Sequence, residues 1–149
     1  MTSKGGTDLE TDDRFPTGEW DGFWLQRPQI KDRQLMDLSL TFARGRIHGD
    51  GRDSVGQFTM TGRYDVKSGK VVIHKQYVGA HLVIYEGWAE IRKGIWGVWN
   101  LPGIGKDGFH IWPRGMGDPT QVKHASTSED AADADETPIL VESVGDAGE

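Results

Sequence analysis

Between Gly18 and Pro113 the chain is a succession of eight short runs in which apolar and polar residues alternate, with a turn signal between each run and the next. A period of two places alternate side chains on opposite faces of an extended strand. No window of this stretch holds a helical period longer than two turns. Strands that recur about every 8–12 residues with turns between them argue for a sandwich or a barrel. The connections are nearly all of hairpin length, so neighbours in sequence should pair antiparallel. Eight strands in up-and-down order most simply close on themselves, which removes both edges. The expected fold is therefore an all-β, eight-stranded antiparallel barrel, with an open two-sheet β-sandwich as the alternative.

Taken in order, the first strand spans about 18–26. Gly18, Trp20, Gly22 and Trp24 share one face, and Glu19, Asp21, Phe23 and Leu25 share the other. Two glycines beside two tryptophans suggest a strand that coils sharply and makes room for large rings. Residues 27–34 read as a polar loop. The second strand, 35–43, turns Met36, Leu38, Leu40 and Phe42 to the core. Short runs at 46–50, 55–65, 70–77, 81–88, 91–101 and 108–113 complete the set.

The charge is uneven. Residues 1–14 hold four acids and two bases, residues 15–116 ten acids and fourteen bases, and residues 117–149 nine acids and one base, for a net charge of −6. The division expected is a disordered lead-in at 1–14, a mildly basic barrel domain at 15–116 and a disordered acidic tail at 117–149. One apolar island, Pro138, Ile139, Leu140 and Val141, interrupts the tail and is a candidate peptide for another protein's sheet edge. The absence of cysteine, of a secretory signal and of a long apolar run makes a soluble, cytoplasmic protein the expectation.

Gly18-x-Trp20 on the first strand of a small antiparallel chain resembles the opening of the calycin barrels: lipocalins, fatty-acid-binding proteins and avidins. That resemblance implies that Trp20 closes one end of the barrel. The avidins' ligand-contacting pattern and the lipocalins' cysteines do not appear here. A closer likeness covers about residues 15–119. Phe15-x-Thr17-Gly18-x-Trp20-x-Gly22-Phe23, Leu38-x-Leu40-x-Phe42, Lys75-x-Tyr77-x-Gly79-x-His81, Gly94-Ile95-Trp96-Gly97-x-Trp99 and Gly108-Phe109-His110-Ile111-Trp112-Pro113 resemble a family of uncharacterised small bacterial β-barrel proteins. It implies the fold and the domain boundary, and no function.

The phosphate-binding, dinucleotide, zinc-protease and nucleophile-elbow templates do not occur in the sequence. Five histidines are scattered singly, so their spacing nominates neither a metal site nor a catalytic pair, and no cofactor is implied. Asp50-Gly-Arg-Asp53 lacks the repeated acids and terminal glutamate of a calcium loop and reads as a hairpin turn. Nothing in the sequence points to a specific nucleic acid or a membrane as partner.

The most suggestive cluster is Lys75, Tyr77, His81 and Tyr85. A three-residue turn at 78–80 would set Tyr77 opposite His81, Lys75 opposite Val83 and Ile73 opposite Tyr85, all on one face. The apolar neighbours turn that face inward. These four residues would supply polar contacts at a barrel mouth, with Trp24 and Trp99 as apolar walls. Only one of Trp96 and Trp99 can face inward, because three residues separate them. The expected function is a non-catalytic protein holding a small, partly apolar, possibly anionic ligand in the barrel mouth. The alternative is an interaction or structural module with a filled interior. A cavity of about 300 Å3 or more, with Lys75 and His81 on its wall, separates the two.

Overall fold

The computed structural model describes residues 8–121. Eight strands follow one another: β1 (Gly18–Gln26), β2 (Ile30–Ala43), β3 (Arg46–Arg52), β4 (Gln57–Tyr64), β5 (Lys70–Tyr77), β6 (Leu82–Glu90), β7 (Gly94–Leu101) and β8 (Gly105–Pro113). Each pairs antiparallel with the next, and β8 returns to β1, so the sheet is a closed barrel rather than a sandwich. No helix among the described residues is long and apolar enough to cross a membrane.

The alternation seen in sequence becomes an inside and an outside. On β2, Met36, Leu38, Leu40 and Phe42 are buried while Asp37, Ser39 and Thr41 are exposed. Close crossings of coiled strands explain the inward glycines. A Cβ on Gly22 would lie 2.4 Å from the His110 carbonyl oxygen, and one on Gly97 would lie 2.0 Å from that of Glu86. Backbone cannot give way as a flexible side chain can, so these positions admit no side chain.

One end of the barrel is stopped by aromatic rings. Phe15, Trp20, Phe42 and Tyr64 pack with ring centroids 4.5–5.6 Å apart. The Trp20 indole N–H donates to the Pro16 carbonyl at 2.9 Å. Residues 8–14, expected to be a disordered lead-in, instead run along this end. Leu9 bridges to Ala43, the Glu10 amide donates to the Phe42 carbonyl at 2.9 Å, and the Tyr64 hydroxyl donates to the Glu10 carboxylate at 2.8 Å. Composition misleads here because the polar side chains find partners on the barrel instead of water. Residues 1–7, most of the acidic tail and the Pro138–Val141 island lie outside the described residues.

The polar loop expected at 27–34 shrinks to residues 27–29. β2 starts at Ile30, and its first residues pair with the end of β1 past a register shift between Trp24 and Gln26. Its residues are exposed or half-buried and only Ile30 among them packs against the core, so the extension lacks the apolar alternation that marks a half-buried strand. β8 likewise begins before the expected 108, at Gly105; its first residues, Gly105, Lys106, Asp107 and Gly108, carry no apolar side chain to mark them as strand in the sequence.

Candidate functional site

The β5–β6 hairpin has the register expected from its three-residue turn. Lys75 pairs with Val83, Ile73 pairs with Tyr85, and the Tyr77 amide donates to the His81 carbonyl at 3.1 Å. Ile73, Lys75, Tyr77, Val83 and Tyr85 are all buried, with Lys75 at 0% exposure. Burying an ammonium without a partner would cost several kcal/mol, so the surrounding side chains have to supply one.

They do so from four other strands and one loop. The Lys75 ammonium donates to Asp53 Oδ2 at 2.6 Å, to the Tyr85 hydroxyl oxygen at 3.1 Å and to Met36 Sδ at 3.3 Å. Four rings enclose it, with centroids at 4.3 Å for Phe58, 4.7 Å for Tyr77, 5.4 Å for Tyr85 and 5.7 Å for Trp24. Their electron-rich faces add a cation–π attraction that is stronger when desolvated.

Asp53 follows the last residue of β3, and its side chain turns down into the barrel. Besides Lys75, its Oδ2 accepts the Tyr77 hydroxyl at 2.6 Å and the Trp24 indole N–H at 3.0 Å. Its Oδ1 accepts the Val55 amide at 2.9 Å and the Gly56 amide at 3.3 Å. Burial pushes this carboxyl up, but the Lys75 ammonium, the Tyr77 hydroxyl and the Val55 amide outweigh it and hold Asp53 below the ordinary carboxylate range. Burial pulls the Lys75 ammonium down to about 8 against the opposing pull of Asp53. Burial, and then the nearby carboxylate, push Tyr77 and Tyr85 above the usual phenol range. At neutral pH the constellation is one cation, one anion and two neutral phenols.

Asp53 is the residue that reading the sequence as a turn missed. The turn expected at Asp50-Gly-Arg-Asp53 falls later, at Asp53–Gly56, because β3 continues paired on both sides to Arg52; Asp53 Oδ1 caps the amides of that later turn, but Oδ2 serves the interior. The signal was Lys75 itself: an inward lysine requires an acid, and the loop after β3 offers one at the level of the mouth.

A cavity of about 230 Å3 opens at this end of the barrel, lined by Trp24, Tyr77, His81, Tyr85, Trp99 and Leu101 among others. It meets the criterion set from the sequence neither in volume, which falls short of about 300 Å3, nor in the placing of Lys75; only His81 stands on the wall as expected. Five of the six residues nominated from sequence line it. Lys75 does not: it lies beneath the aromatic floor, satisfied by Asp53. The expectation that it would meet an anion directly is thereby corrected, because its charge is spent inside the protein. Trp24 and Trp99 meet edge to face, with centroids 6.1 Å apart at 84°. Trp99, at 5% exposure, is the inward member of its pair, and Trp96, at 37%, faces out.

Among the described residues, no three His, Cys, Asp or Glu side chains come together to hold a metal ion. No protein-family model, curated protein or solved structure matches this chain, so the reading of its function rests on the geometry of the barrel and its mouth.

Proposed function

We propose that the protein is a calycin-like, non-catalytic binding protein that holds a small, largely apolar molecule in the mouth of its barrel. The supporting observation is the contrast between the two ends. One is stopped by Phe15, Trp20, Phe42 and Tyr64, while the other opens on a cavity walled by Trp24, Tyr77, Tyr85 and Trp99. An eight-stranded barrel is wide enough to hold one small ligand, and apolar walls with few polar groups are how such ligands are gripped. The size of the cavity restricts the occupant to a compact molecule. The test is native mass spectrometry of protein purified from its host. A retained small molecule that is lost in Trp99→Ala is the expected result, and release of an unliganded chain under conditions that preserve known binders counts against the reading.

The interaction module is supported by a different observation, a largely aromatic row on the outward face of the sheet, in which Phe23 is covered by Arg33. Trp88 pairs with Trp96, Trp96 with His110, His110 with Phe23, and Phe23 with Leu35, across five consecutive strands. Trp88, Trp96 and Leu35 are exposed. Exposed tryptophans of this kind anchor protein interfaces. Cross-linking in the host lysate that captures the same protein with wild type, and loses it with Trp88→Ser/Trp96→Ser, would favour this second reading.

A further inference from the structure

The cavity changes character between its depth and its rim. At depth it is bounded by Trp24, Tyr77, Val83, Tyr85 and Trp99, all buried. Their polar side-chain atoms are engaged within the protein. The Trp24 indole N–H and the Tyr77 hydroxyl donate to Asp53, and the Trp99 indole N–H donates to the Leu25 carbonyl at 2.6 Å. The Tyr85 hydroxyl is held between Lys75 and Met36, behind the wall, so that Tyr85 offers the cavity its ring. A polar group carried to this depth leaves water and meets no unspent side-chain partner, which is unfavourable.

The rim is different. Gln26 closes β1 and His81 immediately precedes β6, so both stand at strand ends around the opening. Gln26 is half-buried and His81 is exposed. Among the described residues, neither the Gln26 carboxamide nor the His81 ring nitrogens bond to the protein; the His81 ring rests against Tyr77, with centroids 4.9 Å apart. A carboxamide offers donors and an acceptor, and a neutral imidazole one of each. The connections at this end alternate round the closed sheet. Gln26 and His81 therefore stand on opposite sides of the opening, with the aliphatic Val55 and Ile104 on the sides between.

We infer that the occupant is an amphiphile: an apolar body with a single hydrogen-bonding group at one end, which enters body first and leaves that group at the rim with Gln26 and His81. This rests on the reading of the mouth as a binding cavity and adds to it the polarity of the occupant and its direction of entry.

Three probes test it against the full-length chain at pH 7.5. Hexanamide carries one carboxamide, adipamide carries one at each end, and toluene carries no polar group. In equilibrium dialysis hexanamide should bind about tenfold or more tightly than adipamide, which has to bury its second amide without a partner. In saturation-transfer NMR of hexanamide the terminal methyl should receive the most and the methylene beside the amide the least. Gln26→Leu/His81→Leu should weaken hexanamide about fivefold and leave toluene no weaker. Adipamide binding as tightly as hexanamide overturns the apolar depth, and strongest transfer beside the amide overturns the direction of entry. An unchanged hexanamide affinity in the variant overturns the role of the rim pair. Binding of toluene without hexanamide overturns the amphiphile while leaving the cavity a binding site. If neither toluene nor hexanamide binds the wild-type chain, the binding-cavity reading itself falls, and this inference with it. The measurements on wild type decide even if the variant does not fold.

Discussion

Lys75 and Asp53 behave as a unit, and that sets what their substitution should do. Removing one member strands the other charge in the interior, which costs about 3–5 kcal/mol. Lys75→Met alone should lose that much in urea unfolding. Lys75→Met/Asp53→Asn should lose clearly less than the sum of the single changes, because the amide oxygen still accepts from Tyr77 and Trp24. The pair should also shape the pH dependence. Lys75 titrates at about 8 in the folded chain, against about 10.4 when unfolded. Between those values the unfolded chain holds more protons, so stability rises with pH in that window. Above about 10 the sign reverses. Tyr64, held up at about 12, and Tyr77 and Tyr85, also raised, keep their protons in the fold and lose them on unfolding. Asp53, held low, contributes stability above the ordinary carboxylate range that is lost as pH falls through its folded value. The urea midpoint should therefore climb from pH 7.5 to 9.5 and fall beyond, and Lys75→Met should abolish the climb. At this scale the sequence was half legible. Parity across the hairpin placed Tyr77, His81 and Tyr85 correctly, because strand periodicity is a local property. The partner of Lys75 comes from 22 residues away, through a loop that looks complete as a turn, so pattern alone could not join them.

At the level of single elements, the strands with one wet and one dry face were plain in the sequence. Those with two wet faces were not. The start of β2 escaped notice because, of residues 30–34, only Ile30 is apolar and packs against the core, so backbone pairing there continues without an alternating pattern. The segment 8–14 escaped for the opposite reason: Glu10 is bonded to the barrel through Tyr64, and Asp12 and Arg14 are bonded to one another, with Arg14 also reaching the Val66 carbonyl. Truncation to Phe15 should accordingly lower the unfolding temperature, and Tyr64→Phe should cost about 1 kcal/mol. The same temperature in the truncated chain would show that the segment rests on the barrel without supporting it. Within the strands, Gly97→Ala should be far more damaging than its size suggests, by about 3 kcal/mol or more, since the added carbon meets backbone. Gly115→Ala, where nothing lies within 4 Å, is the control and should be nearly silent in thermal unfolding.

For the molecule as a whole, the inside and the outside of the sheet carry different burdens. Trp20, Trp24 and Trp99 fill or wall the interior, while Trp88 and Trp96 stand outside with Lys70 over the Trp88 ring. Trp88→Ser/Trp96→Ser should therefore change stability by only about 0.5 kcal/mol per site, whatever it does to association. Light scattering on the same variant separates the two effects. The barrel's stopped end adds a kinetic consequence. A molecule seated above Tyr85 has one doorway, framed by the loops at 27–29, 53–56, 78–81 and 102–104, and it leaves by the way it came. Arrival and departure share a single barrier, nothing is handed through to the far side, and a second molecule cannot push the first onward. Rivals for the seat must wait for it to empty, so displacement should run at the resident's own departure rate, however much competitor is added.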